Sequence, residues 1–309
     1  MENCAQNPKR QRRLVYIMGP NYSGSTLLTL LLADHPQIAT VGELKATSMG
    51  DISIYRCSCG ELLTDCSFWS EARQLMSQQG KKLVLEDFRT HFRDQKHSVI
   101  DRLFRTALRG PLFEAVREAG FALLPSARKT RDEITRQNQA LVEIICTLQH
   151  APIFLDDSKE PVRLKFLLTA GIWDIRVIHL IRDGRGVTNS YMRHNKATMS
   201  KAAKEWMHTQ FECDRMRRML GSNLCLPVHY ENLCREPEKI LDAISQFLSL
   251  DPELSTPSTR IKHIMGNQMR LGSLQDIQLD EKWKQTLSAE DLHIFTTTAG
   301  TLNKLHGYS

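Results

Sequence analysis

An α/β fold built on a parallel sheet is predicted from two features of the chain. Apolar, β-branched runs bounded by turn residues recur five times with helical periodicity between several of them, and a glycine- and hydroxyl-rich loop joins the first run to the first helix. Near-continuous apolar runs are expected of strands buried on both faces, which is the situation of a parallel sheet covered by helices. The runs are LVYIM at 14–18, QIATV at 37–41, APIFLD at 151–156, IRVIHLI at 175–181 and NLCLPVHY at 223–230. Helical patterns follow at 25–35, 161–171, 186–194, 202–220 and 237–250. Pro161 and Pro237 sharpen two of these starts, because the first turn of a helix has no amide bond for proline to lose.

From 67 to 150 the pattern changes to long amphipathic helical stretches without a convincing strand. This reads as a helical insertion within one domain covering 1–309. Residues 1–13 form a basic tail, and 251–285 are polar and irregular, a long coil of the kind that is often functional and lid-like.

Composition narrows the class. The 309 residues are 41% hydrophobic and 25% charged with 16 Gly and 11 Pro, which excludes collagenous, low-complexity and wholly disordered chains. Forty-one Lys and Arg against 35 Asp and Glu leave +6, and Lys9, Arg10, Arg12 and Arg13 against Glu2 supply half of that excess. Such a balance suits an anionic ligand without requiring nucleic acid. No apolar stretch approaches the ~20 residues of a membrane span or the core of a signal peptide, so a cytoplasmic protein is expected. Most of the eight cysteines are then expected to be reduced, buried thiols.

The chemistry starts at GPNYSGST, Gly19 to Thr26. Gly24 permits a turn that a Cβ would hinder, and the amides and hydroxyls of Ser23, Ser25 and Thr26 at the next helix start make a donor-rich phosphate cradle. A Walker A loop ends in GKS or GKT; this one ends in GST, so the lysine an ATP-dependent kinase needs is missing. A second feature is HLIRDGRGVTNSYM, with Arg182 leaving a strand and Ser190 eight residues later. At the carboxyl edge of a parallel sheet, Arg182 is placed to take a second phosphate. Taken alone, each segment is also compatible with a capped turn or a solvated charged turn.

Together these segments resemble PAPS-dependent sulfotransferases, the bacterial forms above all and, more distantly, the protein-tyrosine sulfotransferases. VGELK at 41–45, DDSKEP at 156–161, YENL at 230–233, HIMGNQMR at 263–270 and the terminal HGY follow in the same chain order. The resemblance implies a P-loop-like domain with a central five-stranded parallel sheet flanked by helices. It implies transfer of a sulfonate from PAPS to a hydroxyl or amine, releasing PAP, with no metal expected. It identifies Glu43 as general base and Lys159 as the group on the leaving side of the sulfonate. Tyr22, Ser23, Gly24, Ser25 and Thr26 then hold the 5′-phosphosulfate, and Arg182 and Ser190 the 3′-phosphate. Tyr230, Asn267 and Arg270 are further nucleotide contacts, with Lys262 and His263 just before the closing segment. On the residues alone, Glu43 also reads as a salt-bridge partner of Lys45 and Lys159 as a loop lysine.

One position departs from the pattern. Tyr22 stands where the family carries Lys, Arg or His, so leaving-group stabilisation is expected to shift toward Lys159 and the loop amides. The departure keeps a second reading alive, a nucleotide-binding protein of the same fold with little or no transfer. Cys57, Cys59 and Cys66 form C-x-C-x6-C with no fourth ligand nearby in sequence, so the cluster reads as structural, with a Cys59–Cys66 disulfide as an alternative under oxidising conditions. A similar cysteine pattern in bacterial relatives implies a shared local fold at the acceptor mouth and not a metal, and the insertion at 67–150 then lies on the acceptor side. The acceptor's class and the oligomeric state are left open.

Overall fold

The computed structural model describes residues 11–45, 50–105, 110–252, 261–266, 268–271 and 277–309. Five strands form one parallel sheet: β1 Arg12–Met18, β2 Ile38–Thr40, β3 Ile153–Lys159, β4 Trp173–Ile181 and β5 Cys225–His229. All five fall on the five apolar runs. Their order is β2-β3-β1-β4-β5, so the chain reverses its direction of travel across the sheet at β1. In open α/β sheets the crevice outside the carboxyl ends at such a reversal is where ligands bind.

Helices cover both faces. Between β1 and β2 lies α1 (Ser25–Leu32), and between β2 and β3 lie α2 (Ser67–Gln78), α3 (Ser98–Phe104), α4 (Pro111–Leu123) and α5 (Pro125–Leu148). Next come α6 (Pro161–Ala170), α7 (Gly184–Asn195) and α8 (Met199–Leu220), with Pro161 in the first turn of α6. After β5 follow α9 (Tyr230–Arg235), α10 (Pro237–Leu248), α11 (Trp283–Thr286) and α12 (Ala289–Leu305). The period-two alternation of β1 splits the core. Leu14, Tyr16 and Met18 face a cluster with Trp69, Leu141, Phe166 and Met216, whereas Val15 and Ile17 face Leu28, Leu233 and Leu248.

The third strand runs further than its apolar segment, because polar residues in DDSK are buried and each finds partners. Asp156 is fully buried and pairs with Arg163, 1% exposed, through Nε at 3.2 Å and Nη2 at 3.1 Å. The remaining Arg163 donors reach the Thr90 carbonyl (2.7 Å) and Asn138 Oδ1 (2.7 Å). The other oxygen of Asp156 accepts from Ser158 N (3.0 Å), Ser158 Oγ (2.5 Å) and Leu44 N (3.1 Å). A buried charge pair is tolerable only when saturated in this way. Arg163→Ala is expected to destabilise the protein by about 3–5 kcal/mol, since it strands Asp156 without its cation. Urea unfolding of the two proteins measures this, and a loss below about 1 kcal/mol would remove the pair from its structural role.

Candidate active site

The carboxyl ends of β2, β3, β1 and β4 lie side by side and are stitched to one another. Asp157 N donates to the Gly42 carbonyl (3.2 Å) and Gly19 N to the Lys159 carbonyl (3.2 Å). Arg182 Nη1 donates to the Tyr22 carbonyl (2.8 Å). The sequence-expected Glu43, loop 19–26, Lys159 and Arg182 therefore share one edge.

The loop has the form its residues suggest. Gly24 caps α1 with φ +93°, and a Cβ there would fall 2.4 Å from the Tyr230 ring, so both conformation and space select glycine. Leu28 N to the Gly24 carbonyl is the first helical bond, and no side chain caps the helix. The amides of Ser25, Thr26 and Leu27 are thus the free donors of a helix start. Ser23 is fully buried, and its hydroxyl has no hydrogen-bond partner among the described residues. A buried, unsatisfied hydroxyl two residues before a helix start fits an anion such as a phosphate.

Glu43 and Lys159 meet directly. Lys159 Nζ lies 2.6 Å from Glu43 Oε1, also donates to the Asp157 carbonyl (3.0 Å), and is 3.9 Å from Asp157 Oδ1. Lys159 closes β3 rather than following it, and its φ of +68° is unusual for a side-chain-bearing residue. Burial pushes the Glu43 carboxyl up, but Lys159 and Lys45 outweigh burial and hold it below its ordinary value. Burial lowers the Lys159 ammonium, and Asp157 and Glu43 more than restore it, so it stays charged. Lys45 sits 3.8 Å from Glu43 Oε2 and 3.1 Å from Glu160 Oε1. The lysine contact expected of Glu43 therefore exists, but the close partner is Lys159.

Asp157 was not singled out by sequence. Burial raises its carboxyl to about 7; Lys159 pulls it down, while Glu43 and Asp156 push it up. Thr29 on α1 donates to its Oδ2 at 3.0 Å.

On the far side of the loop, Arg182 is buried over the Tyr230 ring, 4.4 Å from its centroid. Its Nη2 donates to the Asp280 carbonyl (2.9 Å) and to Asp280 Oδ2 (3.1 Å). Asp280 thus puts a carboxylate on the cation expected to take a phosphate. Gly186 on α7 packs against Arg182, and Ser190 follows one turn later on the same face. Tyr230 is 5% exposed and lies between Gly24 and Arg182, so it acts as a plate under both. Trp283 supports the same corner, with the Arg185 guanidinium 4.2 Å above its ring.

Tyr22 also has φ in the left-handed region (+67°). Its ring stacks on His194 with centroids 5.3 Å apart, and its hydroxyl accepts from Asn195 Nδ2 at 3.0 Å. Asn267 lies outside the described residues, and the backbone of Arg270 falls in a short 3-10 turn over Gln268–Leu271.

Lys262 and His263 engage groups away from the loop 19–26. Lys262 Nζ pairs with Asp34 at 2.5 Å beyond the end of α1, and His263 stacks on Phe68 beside the cysteine cluster. Segment 262–266 itself belongs to the site: Met265 N donates to the Val41 carbonyl (2.8 Å), and Gly266 lies against Glu43.

Residues 15–253 match the profile of the sulfotransferase family. The chain belongs to that family. Among solved structures, the sulfotransferase domain of the Synechococcus PCC 7002 olefin synthase is 19% identical, with 94% of this chain and 96% of that chain covered and a TM-score of 0.49. The sulfotransferase domain from the curacin biosynthetic pathway is 18% identical over 97% and 99%, with a TM-score of 0.46. A sulfotransferase from Alicyclobacillus acidocaldarius is 10% identical over 98% of each chain, with a TM-score of 0.43. Against curated protein sequences the chain has no significant match. No helix among the described residues of this sulfotransferase is long and apolar enough to cross a membrane.

The Asp157 assignment has a testable pH signature. Its folded-state value of about 7 lies above the ~3.9 of an unfolded aspartate. Between those values the native state keeps a proton that the unfolded chain has released, so stability falls as pH rises through the window. Urea unfolding from pH 4 to pH 8 is expected to show wild type losing stability relative to Asp157→Asn. Parallel curves would place the raised group elsewhere.

Proposed function

We propose that this sulfotransferase uses PAPS as donor and transfers its sulfonate to an acceptor hydroxyl or amine, with Glu43 as general base. The reading rests above all on the Glu43–Lys159 pair at the sheet edge, beside a loop whose buried Ser23 hydroxyl awaits a partner. PAPS supplies an activated sulfonate: the acceptor–sulfur bond forms as the sulfur–oxygen bond to the phosphate breaks, and PAP departs with that electron pair. Ser23, Ser25 and Thr26 hold the 5′-phosphosulfate through hydroxyls and helix-start amides, with Gly24 keeping the loop close. Arg182 exchanges Asp280 for the 3′-phosphate, and Ser190 adds a hydroxyl from one turn along α7. Asn267 and Arg270 complete the nucleotide side.

Glu43 takes the acceptor's proton. Its two lysine neighbours keep it ionised at neutral pH, so it is ready to accept, and they leave it a weak base whose strength lies in position. Lys159 stays charged and is held within hydrogen-bond reach of the same carboxylate, where it can neutralise oxygens of the transferring group. Tyr22 brings no charge to the leaving group. Its packing on His194 favours a second reading, in which the nucleotide binds and transfer is slow or absent.

Two variants separate the roles. Glu43→Gln is expected to abolish PAPS turnover with PAP affinity nearly intact, as isothermal titration would show. Retained turnover would move the base elsewhere, and wild-type protein that binds PAP without turnover on any acceptor would favour the second reading. Arg182→Ala is expected to weaken PAP binding by about 1.5–3 kcal/mol while barely changing affinity for adenosine 5′-phosphosulfate, which lacks the 3′-phosphate. Equal losses for both ligands would reject the assignment.

A further inference from the structure

The three clustered cysteines acquire in the fold what their spacing lacks. His263, 206 residues after Cys57, brings Nδ1 to 3.5 Å from Cys57 Sγ and 3.4 Å from Cys66 Sγ. Cys59 Sγ is 3.7 Å from Cys66 Sγ, and all four donor atoms lie within 4.8 Å of one another. A tetrahedral zinc ion with Zn–S of about 2.3 Å and Zn–N of about 2.05 Å has S–S edges of about 3.8 Å and S–N edges of about 3.5 Å. The three closest separations match those edges.

The surroundings hold the cluster in place. Cys66 stands at the N-cap of α2. The turn is closed by Gly60 N to the Cys57 carbonyl (2.9 Å) and Cys57 N to the Glu61 carbonyl (2.9 Å). Cys57 and Cys66 are fully buried, and His263 is held by its stack on Phe68, 4.3 Å between centroids and 4° from parallel. Three soft sulfur donors and one imidazole, with three separations that match tetrahedral edges, select zinc over magnesium or calcium, which take oxygen ligands.

We propose that Cys57, Cys59, Cys66 and His263 bind one structural zinc ion that ties segment 262–266 to the cysteine turn. Ser58 reinforces the tie, donating through Oγ to the Lys262 carbonyl (2.6 Å) and accepting from Ile264 N (2.7 Å). The held segment pairs through Met265 with the β2 exit and places Gly266 against Glu43, so the ion supports one wall of the candidate active site from outside it. The cysteines bind as thiolates, so loading releases protons, and the binding energy becomes folding energy for that wall. The proposal is independent of which donor or acceptor the site uses.

Metal analysis of the full-length protein, purified without chelator, is expected to find one zinc per chain. Cobalt exchanged into the apo protein is expected to give tetrahedral visible bands and a near-ultraviolet thiolate-to-metal band. His263→Ala and Cys66→Ser are expected to lose more zinc affinity than the ~10–100-fold that removal of an outer-shell partner costs. His263→Cys, a four-sulfur set, is expected to keep the metal with an altered cobalt spectrum. Cys66 is buried and its variant can misfold, so the wild-type zinc content and cobalt spectrum stand as separate tests. Protein that takes up neither ion, or that shows a Cys59–Cys66 disulfide as purified, would overturn the site. So would zinc retained with wild-type affinity in both His263→Ala and Cys66→Ser.

Discussion

The buried pair of Asp156 and Arg163 is the constraint on which the rest of the site depends. Two full charges out of water are costly unless every oxygen and every N–H finds a partner, and here that requirement dictates geometry over a wide area. One carboxylate oxygen must receive Leu44 N and both donors of Ser158, which locks the β2 exit onto the β3 exit. The guanidinium must receive the Thr90 carbonyl and Asn138 Oδ1, which ties the long segment between β2 and β3 to the start of α6. Glu43 precedes Leu44 and Lys159 follows Ser158 in sequence, so satisfying the buried charge also sets the two reactive-edge residues face to face.

At that edge the charges are answered from within the protein. Lys159 is matched by Glu43, and Arg182 by Asp280. Any anion that bound here would have to displace Glu43 or Asp280 from these cations, and would not meet bare charge. Two residues with side chains, Tyr22 in the loop and Lys159 at the end of β3 beside it, accept left-handed backbone conformations. Conformations of that kind persist where surrounding packing over-determines them, and they gather at sites that hold a ligand.

Much of this was legible along the chain. Five apolar runs became five strands because a strand buried on both faces has no polar side to show. The loop 19–26 was legible because its form rests on a helix start and one glycine, which are local properties. Lys159 was legible as a residue and not in its conformation, since the polar DDSK stretch reads as a loop until Arg163 and Thr29 arrive to satisfy it. Tyr230 reads as a ligand contact after a strand, yet its ring fills the space that Gly24 leaves. The cysteine cluster reads as one donor short, because its fourth donor stands some 200 residues downstream.

The sequence by itself determined the elements, the family and the place of the strand-to-helix loop, since periodicity, turn chemistry and ordered motifs are properties of neighbours in the chain. Tertiary structure alone decided which charges meet. It brought Lys159 to Glu43, Asp280 to Arg182 and His263 to three cysteines, pairings across 116, 98 and about 200 residues that no spacing rule encodes. The physical reason is that such pairs are selected by burial and by saturation of polar groups. Those conditions exist only once the sheet, its helices and the segments crossing its carboxyl edge have packed.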